Sequence, residues 1–230
     1  MTKETGLFLF ASVKGGVGKS TLAVVKAKCL AAEGRRPLLV DADLTGTSLG
    51  DGLQLVAPKL PSDTKGVLNL LGLSEGFLSY EETRRSRRRR DEASNPDEPI
   101  GLPFLNDALG FSGDENDCRV DSMLWRHQLD DGVKYLPSSP LPIDIDVALT
   151  WLNDPKPFTW VRRLTWVLEA ALRYDPQITD IVIDLPPGVW GFSHEALVLA
   201  ANLARGPLVV GYPAWPDRQW SVQPFLVCSA

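Results

Sequence analysis

The sequence predicts an α/β fold in which a mostly parallel β-sheet carries helices on both faces. Three apolar runs, residues 7–11, 37–40 and 180–184, read as buried strands, because strands covered on both faces are almost continuously apolar. An amphipathic helix is predicted over residues 158–173, where leucines recur at helical spacing. A glycine-rich loop follows the first strand, and aspartates stand at the ends of the other two. Ligands of open parallel sheets bind at the carboxyl ends of the strands, so these segments are expected to meet.

The loop after the first strand, residues 12–21, has the composition and position of a phosphate-binding loop. Its glycines let successive backbone N–H groups point into one concavity, and the helix predicted over residues 22–30, capped by Gly34, adds the positive end of its dipole. Lys19 supplies a cation for the β- and γ-phosphates, and Ser20 supplies a hydroxyl to Mg²⁺. A glycine-rich turn that binds nothing is the alternative, which the order strand, loop, helix disfavours. The predicted nucleotide-binding residues are Lys14, Gly15, Gly16, Val17, Gly18, Lys19, Ser20 and Thr21.

One position of the loop departs from the general phosphate-binding pattern. A glycine is expected five residues before Gly18, and Val13 stands there instead, followed by a second lysine, Lys14. Residues 14–21 resemble the deviant phosphate loop of the MinD/ParA ATPases, a SIMIBI-type group of P-loop NTPases. In that family the extra lysine reaches across a dimer to the phosphates held by the other subunit. The resemblance therefore implies ATP as the ligand, an ATP-dependent homodimer, and catalytic roles for Lys14 and Lys19.

Two aspartates, Asp41 and Asp43, follow the second predicted strand. Here the sequence resembles the first switch of the same family, and the resemblance implies that Asp41 belongs to the Mg²⁺ shell and that Asp43 orients the attacking water. The alternative is that both acids cap the following turn. Many relatives carry Pro-Gln-Gly after the second aspartate, whereas this chain has Leu44-Thr45-Gly46. That difference argues against the partition branch in particular.

The third predicted strand ends in Asp184 and continues as Leu-Pro-Pro-Gly. A buried strand that ends in a carboxylate has the form of a Walker-B-type element, in which Asp184 holds Mg²⁺ through a water. The Leu-Pro-Pro-Gly segment resembles the MinD/Mrp form of this motif, where it belongs to the second switch. The alternative, a cap for the helix that starts near Ser193, is disfavoured by the two prolines and the glycine. The predicted metal site is therefore Ser20, Asp41 and Asp184.

Residues 1–230 are interpreted as a single ATPase domain, since 230 residues are enough for one α/β domain with a substantial core. Residues 84–117 are interpreted as an insertion, which opens with six arginines in seven positions and continues with acids and prolines. The arginines could bind a phosphate backbone or an anionic surface. A solvated, disordered loop is the favoured interpretation, because the basic and acidic halves neutralise each other.

The remaining segments are less regular. Further strands are predicted at residues 133–136 and 207–210, and a helix at residues 193–204. Beyond residue 213 neither helical nor strand periodicity is recognised. Residues 206–230 are therefore interpreted as an atypical tail and an apparently incomplete C-terminus for the family.

Bulk composition limits the partners. The formal net charge of −5 argues against a chain built as a whole to coat nucleic acid, and no apolar run is long enough to cross a membrane. Three isolated cysteines, Cys29, Cys118 and Cys228, form no metal-ligand pair and are typical of a reducing compartment. With no room for a secretory signal before the first strand, the predicted location is cytoplasmic.

Together the motifs indicate an ATP-dependent dimerisation switch that hydrolyses Mg-ATP and regulates the positioning, partition or assembly of a partner protein. An ATP-dependent amidoligase or synthetase on the same scaffold is the enzymatic alternative. A nucleotide-binding fragment deficient in hydrolysis is the non-enzymatic one. Neither a nucleic-acid contact nor a membrane contact is supported by a motif of this sequence.

Overall fold

A computed structural model gives the fold of the chain. It describes residues 4–44, 49–56, 104–106, 109, 124–139, 145, 148–149, 159–188, 191–205 and 219–228. The arginine run at residues 84–90 and the predicted strand at residues 207–210 lie outside the described residues.

The described residues form a mostly parallel sheet of seven strands in the spatial order β3-β4-β5-β2-β6-β1-β7. The five strands from β5 to β7 in that order are mutually parallel, whereas β4 runs antiparallel to both of its neighbours. The strands are β1 (Glu4–Ser12), β2 (Pro37–Asp41), β3 (Leu55–Val56), β4 (Trp125–His127), β5 (Lys134–Leu136), β6 (Asp180–Pro187) and β7 (Gln219–Val227).

Helices cover both faces of this sheet, as the sequence predicts. The four described helices are α1 (Lys19–Ala32), α2 (Leu49–Gly52), α3 (Thr159–Tyr174) and α4 (Phe192–Arg205). On one face, Ala23 and Ala27 of α1 pack with Phe8 and Phe10 of β1. On the other face, residues of α3 and α4 pack with Leu7 and the other side chains of β1 that point that way. None of the described helices is long and apolar enough to cross a bilayer.

Local sequence accounts for the first strand and helix. The residues of β1 from Thr5 to Ser12 are buried without interruption, which is expected of a strand with neighbours on both sides and helices on both faces. Small side chains at Ala23 and Ala27 bring α1 close to the sheet. The helix ends as predicted, because Gly34 adopts φ 77° and its N–H donates to the carbonyl of Ala31 at 2.9 Å.

The prediction of an irregular tail is wrong for residues 219–227. These residues form β7, which pairs in parallel with all nine residues of β1. Trp220 and Val222 pack toward one core cluster, while the ring of Phe225 stacks on Phe10 at 4.8 Å between centroids on the other face. Pro224 lies in a strand that pairs on one side only in the described part of the sheet, and edge strands are where proline is tolerated in a sheet.

Part of the predicted insertion also behaves differently from a solvated loop. Of residues 84–117, the structure describes 104–106 and 109, and Phe104, Leu105 and Leu109 are buried in the two core clusters. At these positions the prediction of a disordered segment is wrong, because the three apolar side chains are buried in core clusters that include residues of the sheet. The remainder of the insertion lies outside the described residues, and the single-domain interpretation stays a prediction.

Candidate functional site

Three central strands bring the predicted site segments to one edge of the sheet. In the register between β2 and β6, Asp41 lies level with Asp184. In the register between β1 and β6, Ser12 lies level with Pro187, and the N–H of Gly188 donates to the carbonyl of Ser12 at 2.7 Å. The glycine-rich loop therefore starts beside the Pro-Pro-Gly turn, and both aspartates lie below it.

The loop has the backbone geometry of an anion cradle. Gly16 and Gly18 adopt φ 75° and 84°, a left-handed conformation that side chains with a Cβ adopt at a cost. A Cβ added at Gly15, Gly16 or Gly18 would meet no atom within 4 Å, so the space over the loop is open. Gly18 precedes α1 and provides no side-chain cap. The first N–H groups of this 14-residue helix are therefore left for a ligand or for water.

Lys19 lies beneath the loop with its ammonium buried. Its side chain is 6 % exposed and forms an ion pair with Oδ1 of Asp184, which is 1 % exposed. The Nζ of Lys19 also lies 3.5 Å from the hydroxyl of Ser20. The cation that the sequence assigns to nucleotide phosphates is thus held against the acid that the sequence assigns to the metal.

Asp184 has one carboxylate oxygen to spare. Its Oδ2 is buried and accepts no hydrogen bond from the described residues. Burial raises the pKa of Asp184, and the ammonium of Lys19 offsets this only in part. A buried oxygen without a donor is costly, and a hard cation is one partner that would satisfy it.

Asp41 is satisfied in a different way. Its Oδ2 accepts hydrogen bonds from the hydroxyl of Ser138 at 2.7 Å and from the N–H of Leu49 at 2.8 Å, and its Oδ1 accepts from the N–H of Asp43 at 3.2 Å. Even so, burial raises the pKa of Asp41 from 3.8 to about 7, against the lowering effect of Ser138 and Leu49. The charges of Asp184 and Asp43 add to the increase.

The described residues contain no group of three or more His, Cys, Asp or Glu that could hold a metal ion without help. Magnesium, however, is usually bound by one or two carboxylates together with substrate phosphates and waters. Asp184, with its spare oxygen, Asp41 at the same level of the sheet and the hydroxyl of Ser20 fit that kind of site. The open loop fits the phosphates.

The other predicted site residues lie around the rim. Lys14 is exposed at the mouth of the loop, and the ion pairs of the described residues do not include it. Asp43 is half-buried, two residues beyond the end of β2. Val17 is half-buried in the loop, and Thr21 is exposed in the first turn of α1. The structure thus brings Lys19, Ser20, Asp41 and Asp184 together and leaves Lys14 facing outward.

Two contributors to this site were not predicted from the sequence. The hydroxyl of Ser138 donates a hydrogen bond to Asp41, which is 97 residues away in the sequence. The side-chain oxygen of Asn106 accepts a hydrogen bond from the N–H of the adjacent Ser139 at 2.7 Å. A signal for the first existed, because the prolines and serines of residues 137–140 follow a predicted strand whose end lies at the same edge of the sheet. No comparable signal marks Asn106.

Comparison with known proteins agrees with this geometry. Residues 5–70 match the family model ParA, described as a NUBPL iron-transfer P-loop NTPase. This segment is therefore similar to the ParA type of P-loop NTPase. The matched residues span β1, the loop, α1 and the Asp41 segment, and Asp184 lies outside them.

A curated relative extends the match over a larger part of the chain. Protein Rv2184c of Mycobacterium tuberculosis is 37 % identical in an alignment of 118 residues, and the match covers 43 % of this chain and 28 % of that protein. The chain therefore matches less than a third of the length of this relative.

Solved structures of related architecture were also found. MinD from Pyrococcus horikoshii with Mg-ADP is 20 % identical with a TM-score of 0.44, and the match covers 85 % of this chain and 54 % of that one. A plasmid partition protein from Borrelia burgdorferi is 20 % identical with a TM-score of 0.44, and the match covers 85 % of this chain and 62 % of that one. Cobyrinic acid a,c-diamide synthase from Mycobacterium smegmatis, with an ATP analogue and magnesium, is 22 % identical with a TM-score of 0.45. The match covers 87 % of this chain and 57 % of that one. Similarity at this level carries no argument about function.

Proposed function

We propose that this chain is an ATP-dependent dimerisation switch of the MinD/ParA type, which binds and hydrolyses Mg-ATP and passes its nucleotide state to a partner protein in the cytoplasm. The observation that carries the proposal is the arrangement of the two loop lysines. Lys19 is buried against Asp184 beneath an open cradle, whereas Lys14 is exposed at its mouth. One cation serves the nucleotide bound by its own chain, and the other is free to reach a nucleotide bound by a second copy.

In nucleotide binding, the backbone N–H groups of the loop and the N-terminus of α1 take the phosphates. Lys19, now paired with Asp184, would turn to the β- and γ-phosphates, because the loop that binds them begins beside it in the sequence. Asp184, through its unpartnered Oδ2, and Ser20 would hold Mg²⁺, and Asp41 would complete the acidic side of that site. When bound, the ion neutralises charge on the phosphates.

In hydrolysis, the roles divide between two copies of the chain. Lys14 of one copy would neutralise charge that develops on the nucleotide of the other, an electrostatic role like that of an arginine finger. Asp43, half-buried beyond the end of β2, would orient the attacking water. Release of the cleaved phosphate after hydrolysis would then remove the negative charge that holds Lys14 and let the copies separate.

Sedimentation with a non-hydrolysable ATP analogue and Mg²⁺ tests the role of Lys14. Lys14→Ala should bind nucleotide with nearly unchanged affinity and remain monomeric, while the wild-type chain dimerises. Lys28→Ala is the matched control, because it removes one lysine from the outer side of α1, where Lys28 faces Asp131 at 3.5 Å. Equal dimerisation of Lys14→Ala and the control would refute the cross-subunit role.

Lys19→Ala and Asp43→Ala separate binding from hydrolysis. Lys19→Ala should abolish binding of labelled ATP, because it removes the buried cation of the cradle. Asp43→Ala should bind ATP, dimerise and release no phosphate. Wild-type turnover by Asp43→Ala would assign water activation to another residue.

The alternatives appear as outcomes of the same assays. A phosphorylated small-molecule product in place of free phosphate would favour an amidoligase or synthetase. ATP binding without release of phosphate, at any concentration of protein, would indicate a nucleotide-binding fragment deficient in hydrolysis.

A further inference from the structure

The turn that follows β5, residues 137–139, supports the acidic side of the site. The hydroxyl of Ser138 donates to Oδ2 of Asp41 at 2.7 Å, and the backbone N–H of Ser138 lies 3.5 Å from the same oxygen. Both residues are 1 % exposed, so no water competes for these bonds. This turn therefore helps to orient the carboxylate of Asp41, together with the N–H groups of Leu49 and Asp43.

The turn is held in place by residues from the predicted insertion. The N–H of Leu105 donates to the carbonyl of Pro137 at 2.9 Å, and the side-chain oxygen of Asn106 accepts from the N–H of Ser139 at 2.7 Å. The two bonds clamp the turn on either side of Ser138. The same segment is tied to α3, because the guanidinium of Arg163 donates to the carbonyl of Leu109.

Asn106 is an unusual residue for this position. It is 5 % exposed, and its Nδ2 has no hydrogen-bond partner among the described residues. A buried amide nitrogen without a partner is costly. An apolar side chain of similar size would avoid that cost, but it would lose the acceptor for Ser139.

We propose that Asn106 is a positioning residue of the magnesium–nucleotide site, acting on Asp41 through the turn at residues 137–139. The proposal rests on the proposed function only in that the site binds Mg²⁺ with a nucleotide; it needs neither dimerisation nor hydrolysis. On this proposal, a stretch of the predicted insertion has a defined role, because it carries the side-chain oxygen of Asn106 that accepts the hydrogen bond from the turn.

Asn106 acts on Asp41 through two short hydrogen bonds, one from the N–H of Ser139 to Asn106 and one from the hydroxyl of Ser138 to Asp41. Without Asn106, the N–H of Ser139 loses its acceptor in a buried place, and the turn shifts to recover one. Ser138 moves with the turn and no longer holds Asp41. Groups that orient metal-binding carboxylates in this way are typically worth about 10- to 100-fold in metal affinity.

The test is the gain in affinity for a fluorescent ADP that Mg²⁺ provides, measured as the ratio of dissociation constants in EDTA and in Mg²⁺. Asn106→Leu and Ser138→Ala should each reduce this ratio by about tenfold or more, with little change of affinity in EDTA. The double variant should reduce the ratio about as much as either single change, because the two residues act in one chain of contacts.

Asn202→Leu is the matched control. Asn202 is also 5 % exposed, but it lies in the last turn of α4, far along the helix from the site. Its replacement should lower the melting temperature without changing the Mg²⁺ ratio. If Asn106→Leu does not fold, Asn106→Ala removes the same acceptor without adding bulk.

The outcomes are distinguishable. An unchanged Mg²⁺ ratio in a folded Asn106 variant, or strictly additive effects of the Asn106 and Ser138 changes, would overturn this proposal while the proposed function stands. A wild-type chain whose affinity for ADP does not respond to Mg²⁺ would overturn both.

Discussion

Replacement of Asp41 by asparagine should make the nucleotide-free protein more stable at neutral and alkaline pH. The carboxyl of Asp41 is 1 % exposed, and burial raises its pKa from 3.8 to about 7. An acid whose pKa is higher in the folded state than in the unfolded state holds its proton more tightly when folded. Its favourable contribution is therefore complete below pH 3.8 and is lost as the pH rises through about 7.

The size of the effect follows from the same two pKa values. Each pH unit between them costs about 1.4 kcal/mol, so the wild-type chain loses about 2 to 3 kcal/mol through Asp41 between pH 5 and pH 8. Asparagine at this position does not titrate. The difference in unfolding free energy between Asp41→Asn and the wild-type chain should therefore shift by about 2 to 3 kcal/mol in favour of the variant over this range.

Urea denaturation at pH 5 and pH 8, with EDTA and without nucleotide, measures this difference. Glu4→Gln is the control, because it removes one negative charge from an exposed side chain. Burial also raises the pKa of Asp184, but Asp184 is present in both proteins and largely cancels in the comparison. A pH-independent difference between Asp41→Asn and the wild-type chain would refute the reasoning.

Two further predictions concern packing. Gly6→Ala should destabilise the fold by about 1–3 kcal/mol, because the added Cβ would lie 2.2 Å from Oδ1 of Asp180; thermal unfolding checks this, and a wild-type melting temperature would contradict it. Phe225→Ala should lower the melting temperature clearly more than Leu226→Ala, because Phe225 stacks on Phe10 at 4.8 Å between centroids whereas Leu226 is 60 % exposed. Equal effects of the two changes would show that the aromatic contact does not stabilise β7.

The parts of the fold that were predictable from the sequence are those with neighbours on all sides. β1 and β6 are buried on both faces, so their apolar runs mark them without further information. β7 was missed for the opposite reason. It has one described neighbour and is mostly half-buried or exposed, so its sequence shows neither the continuous apolar run of a central strand nor a regular alternation.

The site was predictable to the extent that its residues stand at strand ends. Topology places Asp41 and Asp184 side by side once their strands are neighbours, and the loop motif identifies Lys19. The contacts that orient these groups depend on folding at long range. Ser138 is 97 residues from Asp41, and Asn106 is 33 residues from Ser139. A local pattern contains no information about such pairs, which only the packed structure supplies.

The balance of charge at the site gives the proposed function a physical reason. Two buried carboxyl groups, Asp41 and Asp184, lie level with each other, and Lys19 is the cation paired there among the described residues. The pKa of each carboxyl is raised, so both acids lack full compensation for their negative charge. A magnesium–nucleotide complex would draw Lys19 to its phosphates, and Mg²⁺ would supply positive charge to the two carboxyl groups in its place. On this reasoning, binding of a magnesium–nucleotide complex would replace a single internal ion pair by a better neutralised site, and the open space over the loop would admit the phosphates.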